Sequence, residues 1–499
     1  MSWRPASPHS QRSGVPRKGP RPALHYDRGT LLLHPPPPGE GWAEYAEWDE
    51  RAQKFRAPAW RYREVMENLR EEGVEVEDEA RAFEALELKS ARSLTPYPHQ
   101  LEALAAWKRA GRRGLVVLPT GAGKTFLAQL AIEATPRSAL ICVPTLDLMH
   151  QWYAGLLSAY PDAQLGLLGG GSKDETPILI ATYDSAAIHA EKLGNRYGLL
   201  ILDEVHHLPG DFNRVIAEYS IAPYRLGLTA TPPGGERLRD LGDLIGPIVY
   251  RKKAEDLRGT ALADYREVRI TVQLSETERV RYDTLIERRN DFLRKQGIRL
   301  GSLEGWRTFV MRSGSPDGRA AMLAHREARA LAFGTEGKLR VLEELLAAHQ
   351  GKRMLVFTDD NATVYRISRE FLLPALTHQT PVKERVALLD SFRNGEYRVL
   401  VTSRVLNEGV DVPEASVAVV LSGTGEEREH TQRLGRILRR AKTPDGAEKH
   451  AVLYEVVAEN TTEEGVARRR RGLVQEEHDS SPVPHLEEIP PDAVDWEEL

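Results

Sequence analysis

At 499 residues, with 41% hydrophobic and 28% charged side chains, the chain has the make-up of a soluble globular protein of about two to four domains. Lys and Arg number 68 against 73 Asp and Glu, a net charge of −5, so any nucleic-acid contact must come from local grooves and not from bulk charge. No run approaches the about 18 apolar residues of a membrane span, no apolar leader suggests secretion, and the single cysteine, Cys142, excludes an internal disulfide and suits a reducing, cytoplasmic setting.

Residues 1–23 carry five Arg or Lys and no acid, and read as a disordered basic arm. Leu24–Tyr26 and Thr30–His34 flank Asp27-Arg28-Gly29, a hairpin signal. Trp60–Glu72 has helical patterning and stops at Gly73, so residues 24–88 form a small mixed α/β domain. From 90 to 251, short β-type runs alternate with helical stretches: Leu115–Leu118, Ala139–Val143, Ile178–Thr182, Leu199–Leu202 and Leu226–Leu228. That alternation predicts a doubly wound parallel sheet. Residues 252–334 hold a linker strand and a charged helical insertion, with helices over Glu276–Gln296 and Arg319–Ala332 and a loop over Ser313–Gly318. The insertion is either a solvated spacer or an element that grips nucleic acid. A second α/β block spans 335–472, with strands at Met354–Phe357, Val399–Thr402, Val417–Leu421 and Val452–Val456. The tail, 473–499, has nine acids and no Lys or Arg, and is expected to be disordered.

Two strings carry the chemistry. Pro119-Thr-Gly-Ala-Gly-Lys-Thr125 follows an apolar strand. Gly121 and Gly123 let the backbone approach phosphates, with Thr120 and Ala122 completing the loop. The helix opening at Lys124 points its positive end at them. Lys124 is expected to reach the β- and γ-phosphates of a nucleoside triphosphate, and Thr125 to ligate Mg²⁺. Leu118 stands where the strict phosphate-loop pattern has its first glycine. Asp203-Glu-Val-His206 follows a second buried strand, which delivers its carboxylates to the C-terminal edge of the sheet. Asp203 suits Mg²⁺, Glu204 suits activation of the attacking water, and His206 suits coupling. Thr229 and Thr231 follow the next strand, where their hydroxyls can bridge the acidic motif to the neighbouring domain. In Gln432-Arg-Leu-Gly-Arg-Ile-Leu-Arg439, Arg436 and Arg439 share a helix face and suit arginine fingers, while Gln432 is read as a coupling residue. Gly409 and Asp411 lie in a turn able to touch nucleotide and nucleic-acid backbone.

The order of these motifs resembles superfamily 2 helicases, the second string being a D-E-x-H box. Leu202–Pro209, Arg225–Pro232 and Gln432–Arg439 are similar to the XPB branch, a DNA-repair and transcription motor. Lys54-Phe-Arg-Ala-Pro-Ala59 resembles its damage-recognition domain, and the helical insertion sits where that family carries a thumb-like element. The resemblance implies two RecA-like motor domains in tandem and an ATP- and Mg²⁺-dependent, 3′-to-5′ motor on forked or duplex DNA. Nucleotide excision repair is the expected setting, with a nuclease or other repair factor as a possible protein partner and no membrane. It implies that Gln100, in Tyr97-Pro-His-Gln100, pairs with the adenine edge, and that Thr145, Thr182, Thr358 and Thr402 touch the DNA backbone. Pro232-Pro-Gly-Gly-Glu-Arg237 replaces the family's Arg-Glu-Asp strand-separation motif. An RNA helicase, a restriction-type motor and an ATP-gated duplex clamp that separates no strands remain open at this point.

Overall fold

Among the described residues of the chain, three sheets organise a computed structural model that covers 21–91, 95–300, 302–403, 415–422, 450–464 and 486–489. The first sheet holds β1 (Ala23–Asp27), β2 (Thr30–His34), β3 (Glu47–Asp49), β4 (Lys54–Pro58) and β5 (Glu77–Asp78), in the order β3-β4-β2-β1-β5. Helix α1 (Tyr62–Glu71) buries Tyr62, Val65 and Leu69 in a core shared with Leu24, Leu31 and Leu33. This small domain is fastened to the next one. The Tyr26 hydroxyl donates to the carbonyl of Tyr219 at 3.0 Å, and Glu64 accepts from Arg113 at 2.8 Å.

The second sheet comprises β6 (Arg113–Val117), β7 (Ala139–Val143), β8 (Leu165–Gly169), β9 (Ser172–Lys173), β10 (Ile178–Thr182), β11 (Leu199–Asp203), β12 (Tyr224–Thr229) and β13 (Ile248–Arg251). Their order is β13-β6-β12-β11-β7-β10-β8-β9, and all pairings are parallel except β8 with β9. Every residue of β7, β10 and β11 is buried, as a parallel sheet covered on both faces requires. Alternation sorts them: Leu199 and Ile201 enter one core, Leu200 and Leu202 the other. Cys142 lies in the latter, and burial pushes its thiol pKa up. Helices α2 (Pro98–Arg109), α3 (Lys124–Glu133) and α4 (Leu146–Ala159) precede β6, β7 and β8.

The third sheet contains β14 (Asp264–Val272), β15 (Met354–Phe357), β16 (Ala375–Leu376), β17 (Val399–Thr402), β18 (Val417–Val420), β19 (His450–Ala458) and β20 (Leu486–Ile489), in the order β16-β17-β15-β18-β19-β14-β20. Two expectations are corrected here. The strand assigned to the linker, β14, pairs along its full length with β19 and buries Val268, Ile270 and Val272 in the second motor core. The acidic tail is not wholly without structure, because β20 adds to β14 in parallel. Its register sets residue 488 opposite Arg269, and the Arg269 guanidinium pairs with buried Glu455 at 3.2 Å.

Between β14 and β15 the chain forms long helices, Glu276–Lys295 and Pro316–Phe333, with a shorter one, Leu303–Arg312, between them. The expected loop at Ser313–Gly318 is shorter, because Ser315 caps the last helix by accepting from the Gly318 N–H at 3.1 Å. No described helix is long and apolar enough to cross a membrane.

Candidate nucleotide site

The phosphate loop is the turn between β6 and α3. Gly121 and Gly123 have φ of 88° and 80°, in the left-handed region that favours glycine. A Cβ on Gly123 would stand 2.3 Å from the side-chain nitrogen of Gln100. That side chain is 1% exposed. Its Nε2 donates to the carbonyls of Ala122 and Gly123 at 3.2 and 3.3 Å, and its Oε1 accepts from the Tyr97 N–H at 2.9 Å. Gln100, expected to read adenine, is thus hydrogen-bonded to the loop itself. A His99 ring nitrogen reaches the Ala122 carbonyl at 2.8 Å, a contact that sequence reasoning missed. Because α3 begins at Lys124, the N–H groups of its first turn have no partner within the helix and form an anion seat. Lys124 is buried; its Nζ donates to the Leu118 carbonyl at 3.4 Å and lies 3.6 Å from Glu204 Oε1.

Strand β11 delivers Asp203 and Glu204 opposite this loop. Glu204 has φ 48° and ψ 53°, a left-handed conformation uncommon for a residue with a side chain. Its N–H donates to Asp203 Oδ1 at 3.0 Å, while Asp203 Oδ2 accepts from Trp152 Nε1 at 2.9 Å. Burial, then the charge of Glu204, pushes the Asp203 pKa up to about 6, with Lys124 pulling the other way.

Further along, His206 Nδ1 lies 3.4 Å from Glu204 Oε2 and 3.0 Å from Thr229 Oγ1. The Thr229 hydroxyl donates to the Thr231 carbonyl at 3.2 Å and accepts from the Thr231 N–H at 3.2 Å. With the hydroxyl proton directed to that carbonyl, Nδ1 is assigned as the protonated nitrogen of the ring. Lys124, Glu204, His206, Thr229 and Thr231 therefore form one connected polar series, assembled from the start of α3 and the ends of β11 and β12.

The donor set suits a magnesium-bound triphosphate. An ammonium and a helix N-terminus favour anionic oxygens, while a carboxylate and the Thr125 hydroxyl are hard ligands. Among the described residues, two buried polar atoms of this site, Thr120 Oγ1 and Glu204 Oε2, have no hydrogen-bond partner. The threonines expected on the DNA path divide. Thr145 and Thr182 cap helices by accepting from Leu148 and Ser185 N–H groups. Thr358 and Thr402 are fully buried and their hydroxyls donate to the Asp360 and Ser403 carbonyls, so neither presents a surface to DNA. Gly409, Asp411, Gln432, Arg436 and Arg439 lie outside the described residues.

Family models match along the chain. Residues 24–80 match the xeroderma pigmentosum group B helicase damage recognition domain, 93–234 the res subunit of type III restriction enzymes, and 321–489 the ERCC3/RAD25/XPB C-terminal helicase. The DNA 3′-5′ translocase XPB2 of Sulfurisphaera tokodaii is 39% identical over 453 residues, 90% of this chain and 99% of the relative. The chain belongs to the XPB family. The DNA 3′-5′ helicase XPB of Kineococcus radiotolerans is 32% identical over 395 residues, 76% of this chain but only 63% of that XPB's length. Saccharomyces cerevisiae Dbp5 bound to RNA and ADP BeF3 shares the tandem motor fold, with a TM-score of 0.54 at 15% identity over 81% of this chain and 92% of Dbp5. An XPB assignment accounts for the restriction-enzyme match, since that model covers only the first motor domain.

Proposed function

We propose that this chain drives 3′-to-5′ movement along forked or duplex DNA with ATP, independently of sequence, in the service of nucleotide excision repair. XPB membership makes it an ATP-hydrolysing DNA helicase or translocase. The observation that carries the reading is the Lys124–Glu204 approach at 3.6 Å inside a glycine-shaped phosphate loop.

Lys124 and the first-turn N–H groups of α3 would bind the β- and γ-phosphates of ATP. Glu204 would orient the attacking water and accept its proton, its carboxylate held between Lys124 and His206. Thr125 and Asp203 would hold Mg²⁺, which when bound offsets phosphate charge. The Glu204–His206–Thr229–Thr231 series would carry a shift at the carboxylate to the start of Pro232–Arg237, at the domain edge. Arg436 and Arg439 would complete the site from the second motor domain when the cleft closes, with Gln432, Gly409 and Asp411 beside them. The small N-terminal domain would add DNA recognition, and a nuclease or other repair factor would act with the motor.

Lys124→Ala and Glu204→Gln should each lower ATP turnover at least about a hundredfold while leaving the circular-dichroism spectrum unchanged. Wild-type turnover in Glu204→Gln would remove the base assignment. ATPase stimulation by forked DNA, duplex DNA, single strands and RNA, compared side by side, tests the substrate; stimulation by RNA alone would overturn the DNA reading. Pro232-Pro-Gly-Gly-Glu-Arg237, standing in place of the family's Arg-Glu-Asp motif, favours translocation without strand separation as a second reading. Triplex displacement without fork unwinding would support it.

A further inference from the structure

Trp152 belongs to neither motif. It lies inside α4, 1% exposed, and its indole N–H donates to Asp203 Oδ2 at 2.9 Å across 51 residues of sequence. The Glu204 N–H occupies Asp203 Oδ1 at 3.0 Å, and the Tyr183 hydroxyl donates to the Asp203 main-chain carbonyl at 2.9 Å. Each carboxylate oxygen thus spends one lone-pair direction on the protein and keeps another for a cation or its water. Rotation of the carboxylate about its own axis would break both side-chain bonds. Helix α4 has a second attachment. Asp147, in its first turn, accepts from Arg385 Nη1 at 3.2 Å, and Arg385 stands on the helix Val382–Asn394 of the second motor domain.

We infer that Trp152 is a positioning residue for the metal-holding carboxylate. Its N–H fixes the orientation of Asp203, and α4 ties that orientation to the contact between the motor domains. The inference rests on the reading of Asp203 as the Mg²⁺ carrier. Partners that orient a metal ligand in this way commonly change metal affinity or activity about 10- to 100-fold when removed.

Trp152→Phe removes the N–H and keeps an apolar ring. A benzothienyl amino acid at position 152 keeps the whole bicyclic shape without the N–H, and decides the matter if Trp152→Phe fails to fold. Binding of a fluorescent ADP analogue is titrated with Mg²⁺, and kcat and KM are measured at saturating Mg²⁺. Metal-free nucleotide affinity should stay within about twofold, while the Mg²⁺ concentration at half-saturation rises about tenfold. At saturating Mg²⁺, kcat should fall with KM for ATP unchanged. In wild-type protein without nucleotide, the Trp152 indole proton should exchange slowly with solvent. Unchanged Mg²⁺ half-saturation in the benzothienyl protein, or an equal loss of metal-free nucleotide affinity, would overturn the assignment. Asp203→Ala separates the two layers. If it raises the Mg²⁺ requirement and the Trp152 changes do not, the positioning role alone fails; if it does not, the metal reading fails and takes this inference with it.

Discussion

At the scale of single residues, the site places charge where solvation is poor and compensates it locally. Asp203 is 4% exposed, and its nearest compensation is two hydrogen bonds and the Lys124 charge. Its pKa is raised from 3.8 to about 6, so the folded protein holds this proton more tightly than the unfolded chain does. The associated stability is fully present below the unfolded value and is lost as pH rises through about 6. In metal-free protein, the stability of Asp203→Asn relative to wild type should therefore rise by roughly 1 to 3 kcal/mol between pH 4 and pH 7.5, on top of a pH-independent loss of one of the two N–H bonds to this side chain, and ATP turnover should be abolished. Urea unfolding of both proteins at the two pH values measures that change. A stability difference that is the same at pH 4 and pH 7.5 would contradict the buried-charge account. That the lysine and the acidic pair come together is legible in the sequence, because each motif is contiguous and its residue types have few other uses. His99 was not legible, because its partner is a main-chain carbonyl that any residue at position 122 would supply.

At the scale of elements, hydrophobic alternation set the strands, and polar pairs now pin them to their helices. Lys338 and Glu463 are 1% and 2% exposed, and their side chains meet at 2.6 Å. Lys338 also donates to the Leu421 carbonyl, and Glu463 accepts from the Ala458 N–H at 3.0 Å. The pair thus ties the helix Glu336–Ala348 to the ends of β18 and β19. Lys338→Met should cost about 3–5 kcal/mol, because it takes the Lys338 cation away from a buried carboxylate. Adding Glu463→Leu should restore most of it; a double-mutant cycle by denaturant unfolding measures the difference. The charge of Lys338 inside an apolar helix face gave no sign in the sequence of a partner 125 residues away. The short helix Leu303–Arg312 escaped notice because Gly305 and its neighbours weaken the helical pattern.

At the scale of the whole molecule, the second motor sheet draws its strands from three distant parts of the chain. Strand β14 lies before the helical insertion, β15 to β19 follow it, and β20 comes from the acidic tail. Ending the chain at His485 would bare the stretch Glu267–Ile270 of β14, whose amides and carbonyls could then pair with other chains. Such a truncation should lower the melting temperature by a few degrees, about 1 kcal/mol of stability, and promote self-association in sedimentation velocity. An unchanged, monodisperse profile would show that β20 contributes nothing to the sheet. The motor domains also meet through Arg385 and Asp147, and the small N-terminal domain meets the first motor domain through Tyr26, Glu64 and Arg113.

By itself the sequence determined the phosphate loop, the acidic strand end and the alternation of strand and helix, because contiguous residues carry each of these through local geometry and period. It left open what a residue such as Trp152 or a segment such as Leu486–Ile489 pairs with. Only the tertiary structure decided those, since a parallel sheet joins strands by long crossovers and the identity of a neighbour is not written in either partner's local pattern.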